Sequence, residues 1–371
     1  MLSALASASH RRLLSLSVVD VDVHVHETPA ALAVHCKRPW RDLLDRMAEQ
    51  TGRSEAPGQF PPFSDPWPNL SQGLSNRRSM VTSAAQMRSD LDELGVRTGV
   101  LFPDYLLQHS LIRGVDYPVE LARAYNRWVF EEWLDQDRGL KGVVLAPCQD
   151  PEAAASEVIR YARHPHMAGV FLPAAGVDVL YGNRRYDPVY REAMKAGWPI
   201  FLHSVTAIAS AFPFNVGVFE TALAGHVVSH TFSMMANLLS MIETAVPVRF
   251  PELKIVFTEG GIGWVPWIMM KLDKEYAERR REIPMLRDQP SSYIKRQMYF
   301  ATQPIEEPKN LHVVATLLDL CDGADRVMFA SDWPHHDFDH PAKLLQLPVP
   351  EDVKQQIMGK TASRLLRLDL T

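Results

Sequence analysis

Cysteine is scarce in this chain: Cys36, Cys148 and Cys321 stand far apart and form no Cys-x-x-Cys pair. An odd, sparse count argues against a disulfide framework and against a thiolate metal site, and fits three reduced, packed cysteines in a cytoplasmic enzyme. Excess charge is also lacking. With 39 Lys+Arg against 44 Asp+Glu the formal charge is −5, so the chain has no basic footprint for a nucleic-acid partner. No uninterrupted apolar run of about 18 residues occurs, and no membrane span is expected. The richest stretch, 226–248, is broken by His226, His230, Asn237 and Glu243. Acid is missing from the first 19 residues, which hold five serines and the trio His10, Arg11 and Arg12. A secretory signal would carry its positive charge ahead of an apolar run, so residues 1–17 read as a loosely packed tail, with an import peptide as the alternative.

What is present is an ordinary globular composition, 46% apolar and 22% charged, rich enough in apolar surface to offset the entropy of ordering. Short β-branched runs alternate with helical patterns, the signature of a parallel sheet. Eight such runs are expected as strands: Val18–His24, Val96–Phe102, Lys141–Ala146, Ala168–Leu172, Pro199–His203, Leu253–Thr258, Met298–Thr302 and Arg326–Ser331. Helices are expected at Ser79–Leu94, Val119–Asp135, Pro151–Ala162, Pro188–Ala196 and Trp264–Arg281. Eight strands with helices between them predict an α/β fold, a (β/α)₈ TIM barrel over residues 18–371. Residues 36–78 break the rhythm, with Pro57, Pro61, Pro62, Pro66 and Pro68 interleaved with Phe60, Phe63 and Trp67. An insertion after strand one would sit over the carboxyl end of the barrel, as a lid or as a proline-pinned surface loop.

The strongest chemical signal is Val18–Glu27, VVDVDVHVHE. Side chains alternate along a strand, so Asp20, Asp22, His24 and His26 share one face. Four ionisable groups on the inner face of a buried strand need compensation, and a divalent cation supplies it through carboxylate and neutral imidazole. Other strand ends offer partners at the same rim: His203 after strand five, Glu259 in TEGG after strand six, and Asp332 in SDWPH after strand eight.

This order of Asp-x-His, His and Ser-Asp-Trp-Pro-His resembles the amidohydrolase-related, metal-dependent TIM-barrel family, in particular the branch of aminocarboxymuconate-semialdehyde decarboxylase. The resemblance extends through AYNRWVFEEW (124–133), LAPCQDPEAAASE (145–157), YDPVYREAMKAGWPIFLH (186–203), RFPELKIVFTEGGIGWVPW (249–267) and MFASDWPHHDFDHP (328–341). It implies metal ligation by Asp22, His24, His203 and Asp332. His24/His26 is the other register the strand-one spacing allows. Where the decarboxylases carry a catalytic histidine after strand six, this chain has Glu259. That residue is then a metal ligand, an acceptor behind the ligands, or a base acting through water. His230, in GHVVSHTFSMM, is either a helix-capping or core histidine or the acid/base that replaces the missing imidazole.

These readings together imply a metal-dependent hydrolase or non-oxidative decarboxylase acting on a small, carboxylated aromatic or ring-cleavage compound. Asp332, Glu259 and His230 are the candidate catalytic groups, and His26, Trp333 and His335 are the candidate substrate contacts. Zinc or manganese is the expected ion. Counting Glu259 and His230 as ligands gives the alternative of two iron or manganese ions in an oxygenase on the same scaffold. Phe102, Tyr105, Trp264 and Trp267 are placed to line a broad pocket, and Arg184 and Arg185 are either carboxylate-binding or solvated. The resemblance further implies a homodimer.

Overall fold

The computed structural model describes residues 2–51, 81–174, 176, 177, 179–204, 218–335 and 337–368. Eight parallel strands follow one another around a barrel in sequence order. They are β1 (Val18–Val25), β2 (Val96–Pro103), β3 (Leu140–Leu145), β4 (Met167–Pro173), β5 (Ile200–His203), β6 (Ile255–Thr258), β7 (Met298–Ala301) and β8 (Val327–Met328). Helices cover the outside, so the strands are buried on both faces. That is why they read as near-continuous apolar runs in the sequence. All eight residues of β1 are buried, the acidic and imidazole ones included.

The last strand is shorter than the expected Arg326–Ser331, and the reason bears on the site. Beyond Met328 the chain leaves β7 and closes the barrel against β1. Val21 N–H donates to the Phe329 carbonyl (3.0 Å), Asp332 N–H to the Asp22 carbonyl (3.0 Å) and His24 N–H to the Trp333 carbonyl (2.7 Å). Closure therefore sets the strand-eight carboxylate beside the strand-one ligand pair.

Local signals explain the helix ends. Ser83 caps helix Ala84–Leu94, which stops at Gly95 in the left-handed region (φ 75°). Asp150 caps helix Pro151–Tyr161, with Pro151 in its first turn. The helix expected over Val119–Asp135 begins earlier, at Asp116, and its last turn, Phe130–Leu134, widens to π geometry. Ahead of β1, helix Leu2–Ser15 occupies the segment expected as a tail, and its Leu13 is buried beneath Gly95. In the region expected as a lid, Trp40–Thr51 forms a helix; residues 52–80, with the proline and aromatic cluster, lie outside the described residues. Cys36, Cys148 and Cys321 are buried and unbridged. Among the described residues no helix is long and apolar enough to cross a membrane.

Candidate metal centre and active site

Seven side chains converge at the carboxyl ends of β1, β5, β6 and β8. At the centre, Asp22 Oδ1 lies 2.9 Å from His203 Nε2 and 3.2 Å from His24 Nε2, and His24 Nε2 lies 3.0 Å from Asp332 Oδ1. All four side chains are fully buried. The imidazoles are oriented from behind: His24 Nδ1–H donates to the Pro103 carbonyl (2.8 Å) and His203 Nδ1–H to the Ser204 carbonyl (2.8 Å). Because a carbonyl only accepts, each neutral ring turns its Nε2 lone pair toward the carboxylates. His24 Nε2 and Asp22 Oδ2 find no hydrogen-bond partner.

Electron-pair donors crowded in this way call for positive charge. Burial alone would lower the His24 pKa, yet Asp22 and Asp332 push it well above the usual imidazole range. A divalent ion meets the same demand without protonating the ring, and a mixed nitrogen and oxygen donor set suits zinc or manganese. Two triads have ligand atoms within 4.8 Å of one another, Asp22/His24/His203 and His24/Asp332/His335. They share His24, whose single Nε2 lone pair serves one ion.

Backbone geometry aims both strand-end carboxylates. Glu259 (φ 61°) and Asp332 (φ 64°) adopt the left-handed region, unusual for residues with a Cβ and frequent at functional sites. Glu259 Oε2 lies 3.3 Å from His203 Nδ1 and 3.2 Å from His230 Nδ1. Burial, and then the Asp332 carboxylate, push the Glu259 pKa well above the usual carboxyl range, whereas burial pulls His230 down.

His230 belongs to helix Ala222–Glu243, a length the sequence showed only as an apolar helical run. Residues on one face of that helix dock it on the barrel mouth. Ser233 Oγ lies 3.1 Å from Ser204 Oγ, and Asn237 Nδ2 donates to the Ala174 carbonyl (2.8 Å). His230 lies one turn before Ser233 and is thereby carried to Glu259.

The remaining sequence candidates divide. Asp20 sits deeper, accepting from Asp22 N–H (3.1 Å) and Ser331 N–H (2.9 Å); burial pushes its pKa up to about 8. It is a seam between β1 and β8 and joins neither triad. His335 Nδ1 contacts Asp332 Oδ1 at 2.7 Å. His26 is turned to Asp104, with Nδ1 3.4 Å from Oδ2, and joins neither triad. Trp333, expected as a substrate contact, is turned outward instead. Its indole N–H donates to Asp90 Oδ2 on helix Ala84–Leu94 (3.2 Å), because the backbone that bonds to His24 points that side chain away from the barrel axis. Arg185 is spent on the Cys148 and Gln149 carbonyls (3.2 and 3.4 Å) and Arg184 is exposed, so neither is a carboxylate clamp at the centre. Trp267 is exposed as well, while Phe102 packs against His203 at 5.0 Å between ring centroids.

Two residues absent from the sequence reading belong to the site. Gln303, after β7, donates from Nε2 to Asp332 Oδ2 (3.3 Å), and Asp104, after β2, faces His26 and His335. Both follow the rule that singled out His203, Glu259 and Asp332, a polar residue just past a barrel strand's carboxyl end.

Comparison with known proteins agrees with this architecture. The family model described as Amidohydrolase matches residues 21–368. The gamma-resorcylate decarboxylase of Polaromonas sp. (strain JS666 / ATCC BAA-500) is 23% identical over 327 residues, 84% of this chain and 93% of that protein. The crystal structure of 5-carboxyvanillate decarboxylase from Sphingomonas paucimobilis superposes with a TM-score of 0.74 at 20% identity, covering 95% of this chain and 100% of that one. A dihydroxybenzoic acid decarboxylase from Polaromonas sp. JS666, with bound manganese and the inhibitor 2-nitroresorcinol, gives 0.68 at 18% identity, covering 95% and 97%. Similarity at this level establishes the shared barrel.

Proposed function

The chain belongs to the amidohydrolase family, and on that premise we propose that this enzyme is a metal-dependent, non-oxidative decarboxylase of a small carboxylated aromatic compound. The observation that carries the reading is the convergence of Asp22, His24, His203 and Asp332 with their lone pairs facing one another and no cation among the side chains. These four would hold the ion. When bound, it supplies Lewis acidity for a chelated substrate carboxylate. Decarboxylation is favoured over hydrolysis by the relatives, which are named for the removal of carboxyl groups from hydroxylated aromatic rings.

The residues of this chain supply the rest. His24 and His203 are locked by backbone carbonyls. Gln303 and His335 hold the two oxygens of Asp332. The Phe102 ring packs against His203 and excludes water from that side. Loss of CO₂ breaks a ring-carbon to carboxyl-carbon bond and leaves its electron pair on the ring carbon, which must take a proton. Glu259 and His230, 3.2 Å apart, are the pair that holds this proton.

The test is incubation of zinc- or manganese-loaded protein with a panel of mono- and dihydroxybenzoates, following CO₂ release and ring product by chromatography. Stoichiometric CO₂ and decarboxylated ring are expected from at least one member, and Glu259→Gln is expected to cut that rate at least a hundredfold. Turnover of esters, amides or lactones by the same preparation, with no CO₂ from any aromatic acid, would replace decarboxylation by hydrolysis.

A further inference from the structure

Glu27 is buried at the end of β1, and its carboxylate accepts from two backbone N–H groups beyond β2, those of Asp104 (3.0 Å) and Leu106 (2.6 Å). This clamp fixes the Asp104 side chain between two imidazoles, those of His26 and His335. Its Oδ2 lies 3.4 Å from His26 Nδ1, and its Oδ1 lies 3.5 Å from His335 Nε2. His335 in turn reaches Asp332 Oδ1 through Nδ1 (2.7 Å), and its ring lies 4.2 Å from that of His24. A continuous polar path therefore runs Asp332, His335, Asp104, His26, starting at the metal centre.

The path ends on an unused atom. A carboxylate accepts hydrogen bonds, so Asp104 requires an N–H at His26 Nδ1. In the neutral ring with that N–H, His26 Nε2 is the lone-pair nitrogen, and it is buried without a hydrogen-bond partner. The Tyr105 ring, 5.0 Å away, flanks the imidazole. An unsatisfied buried acceptor is costly unless a ligand completes it.

We propose that Asp104 is a positioning residue that holds His26 as the Nδ1–H tautomer, so that Nε2 accepts a hydrogen bond from a hydroxyl on the substrate ring. The identity of the ligand as an aromatic acid rests on the function proposed above; the tautomer does not. His26 thereby becomes the group that discriminates hydroxylated from unsubstituted rings, and the path through Asp104 and His335 links it to Asp332.

The test uses the zinc-loaded protein and two readouts, neither of which is turnover. Proton–nitrogen correlation of the imidazole resonances, assigned by loss of one set in His26→Gln, is expected to show His26 protonated at Nδ1. In Asp104→Ala the ring is expected to change to the Nε2–H form. Calorimetric binding of 2-hydroxybenzoate against benzoate is expected to favour the hydroxylated acid roughly tenfold in the wild type, one good hydrogen bond. That preference is expected to be lost in Asp104→Ala and in His26→Ala, with no further loss in the double variant. A wild-type His26 protonated at Nε2 overturns the proposal whatever Asp104→Ala does, including failing to fold. So does an Asp104→Ala protein that keeps both tautomer and preference. A protein that releases no CO₂ but shows the Nδ1–H ring separates the two readings, because it refutes only the decarboxylase assignment.

Discussion

The two ends of the barrel are both lined with charge, and they handle it differently. At the amino end a cavity of about 400 Å³ lies among Trp198, Lys254, Tyr299, Asp325 and Arg364. Three of its charged groups are answered locally: Arg364 pairs with Asp325 (3.2 Å) and Lys254 donates to the Arg296 carbonyl (3.0 Å). At the carboxyl end, Asp22, His24, His203 and Asp332 are fully buried, and His24 Nε2, Asp22 Oδ2, Glu259 Oε2 and both nitrogens of His230 lack hydrogen-bond partners. Buried polar atoms without partners also occur elsewhere among the described residues, His109 Nδ1 and Tyr125 Oη among them, but these five atoms at the carboxyl rim face one shared centre. Polarity left unsatisfied at one rim, at such desolvation cost, marks the end where a ligand completes the structure.

Substitutions at the two ends should separate on this basis. The largest effect belongs to Asp332→Asn, which removes a charge facing His24 and His335 while keeping the shape of the side chain. Turnover is expected to fall at least a thousandfold, with circular dichroism unchanged; full activity would remove Asp332 from the chemistry. Next is the contrast between Asp22→Ala and His26→Ala. Losing a ligand should weaken metal affinity at least a hundredfold in the first and leave it near wild type in the second; the reverse result establishes the His24/His26 register.

A buried histidine with a purely structural role gives a smaller effect. His109 contacts the Pro118 carbonyl through Nε2 (2.8 Å), and burial lowers its pKa to about 4. Between that value and the unfolded imidazole value near 6.5 the unfolded chain binds the extra proton, so stability falls as pH drops through this window. From pH 6.5 to 5 the loss attributable to His109 is roughly 1 to 2 kcal/mol. Comparing denaturant midpoints of wild type and His109→Phe across that range should show a flatter profile in the variant. Smallest is Asp325→Asn at the amino end: it breaks an exposed pair, and the stability change expected is within about 1 kcal/mol with activity unaffected. A large activity loss there would erase the distinction between the ends.

The sequence made the strands legible because burial on both faces leaves uninterrupted apolar runs, and β1 because four ionisable residues recur at period two. Asp22, His24, His203, Glu259 and His335 come together where the strand-end rule placed them. What was hidden depends on tertiary direction. Trp333 shares its strand end with Asp332, but neighbouring side chains diverge, and only the bond from His24 N–H to its carbonyl shows which one faces inward. The approach of His230 to Glu259 rests on Ser233 and Asn237 docking a long helix, contacts between segments that no local pattern encodes. Asp104 was within reach of the rule and stood beside the more conspicuous Phe102 and Tyr105.

Metal content per chain, by elemental mass spectrometry on protein purified without chelator or an affinity-metal column, tests the central claim most directly. One zinc or manganese per wild-type chain, lost in Asp22→Ala, is the expected result, because both triads meet at a single His24 lone pair. A chain that takes up no divalent ion even after reconstitution, or one that holds two, would contradict it.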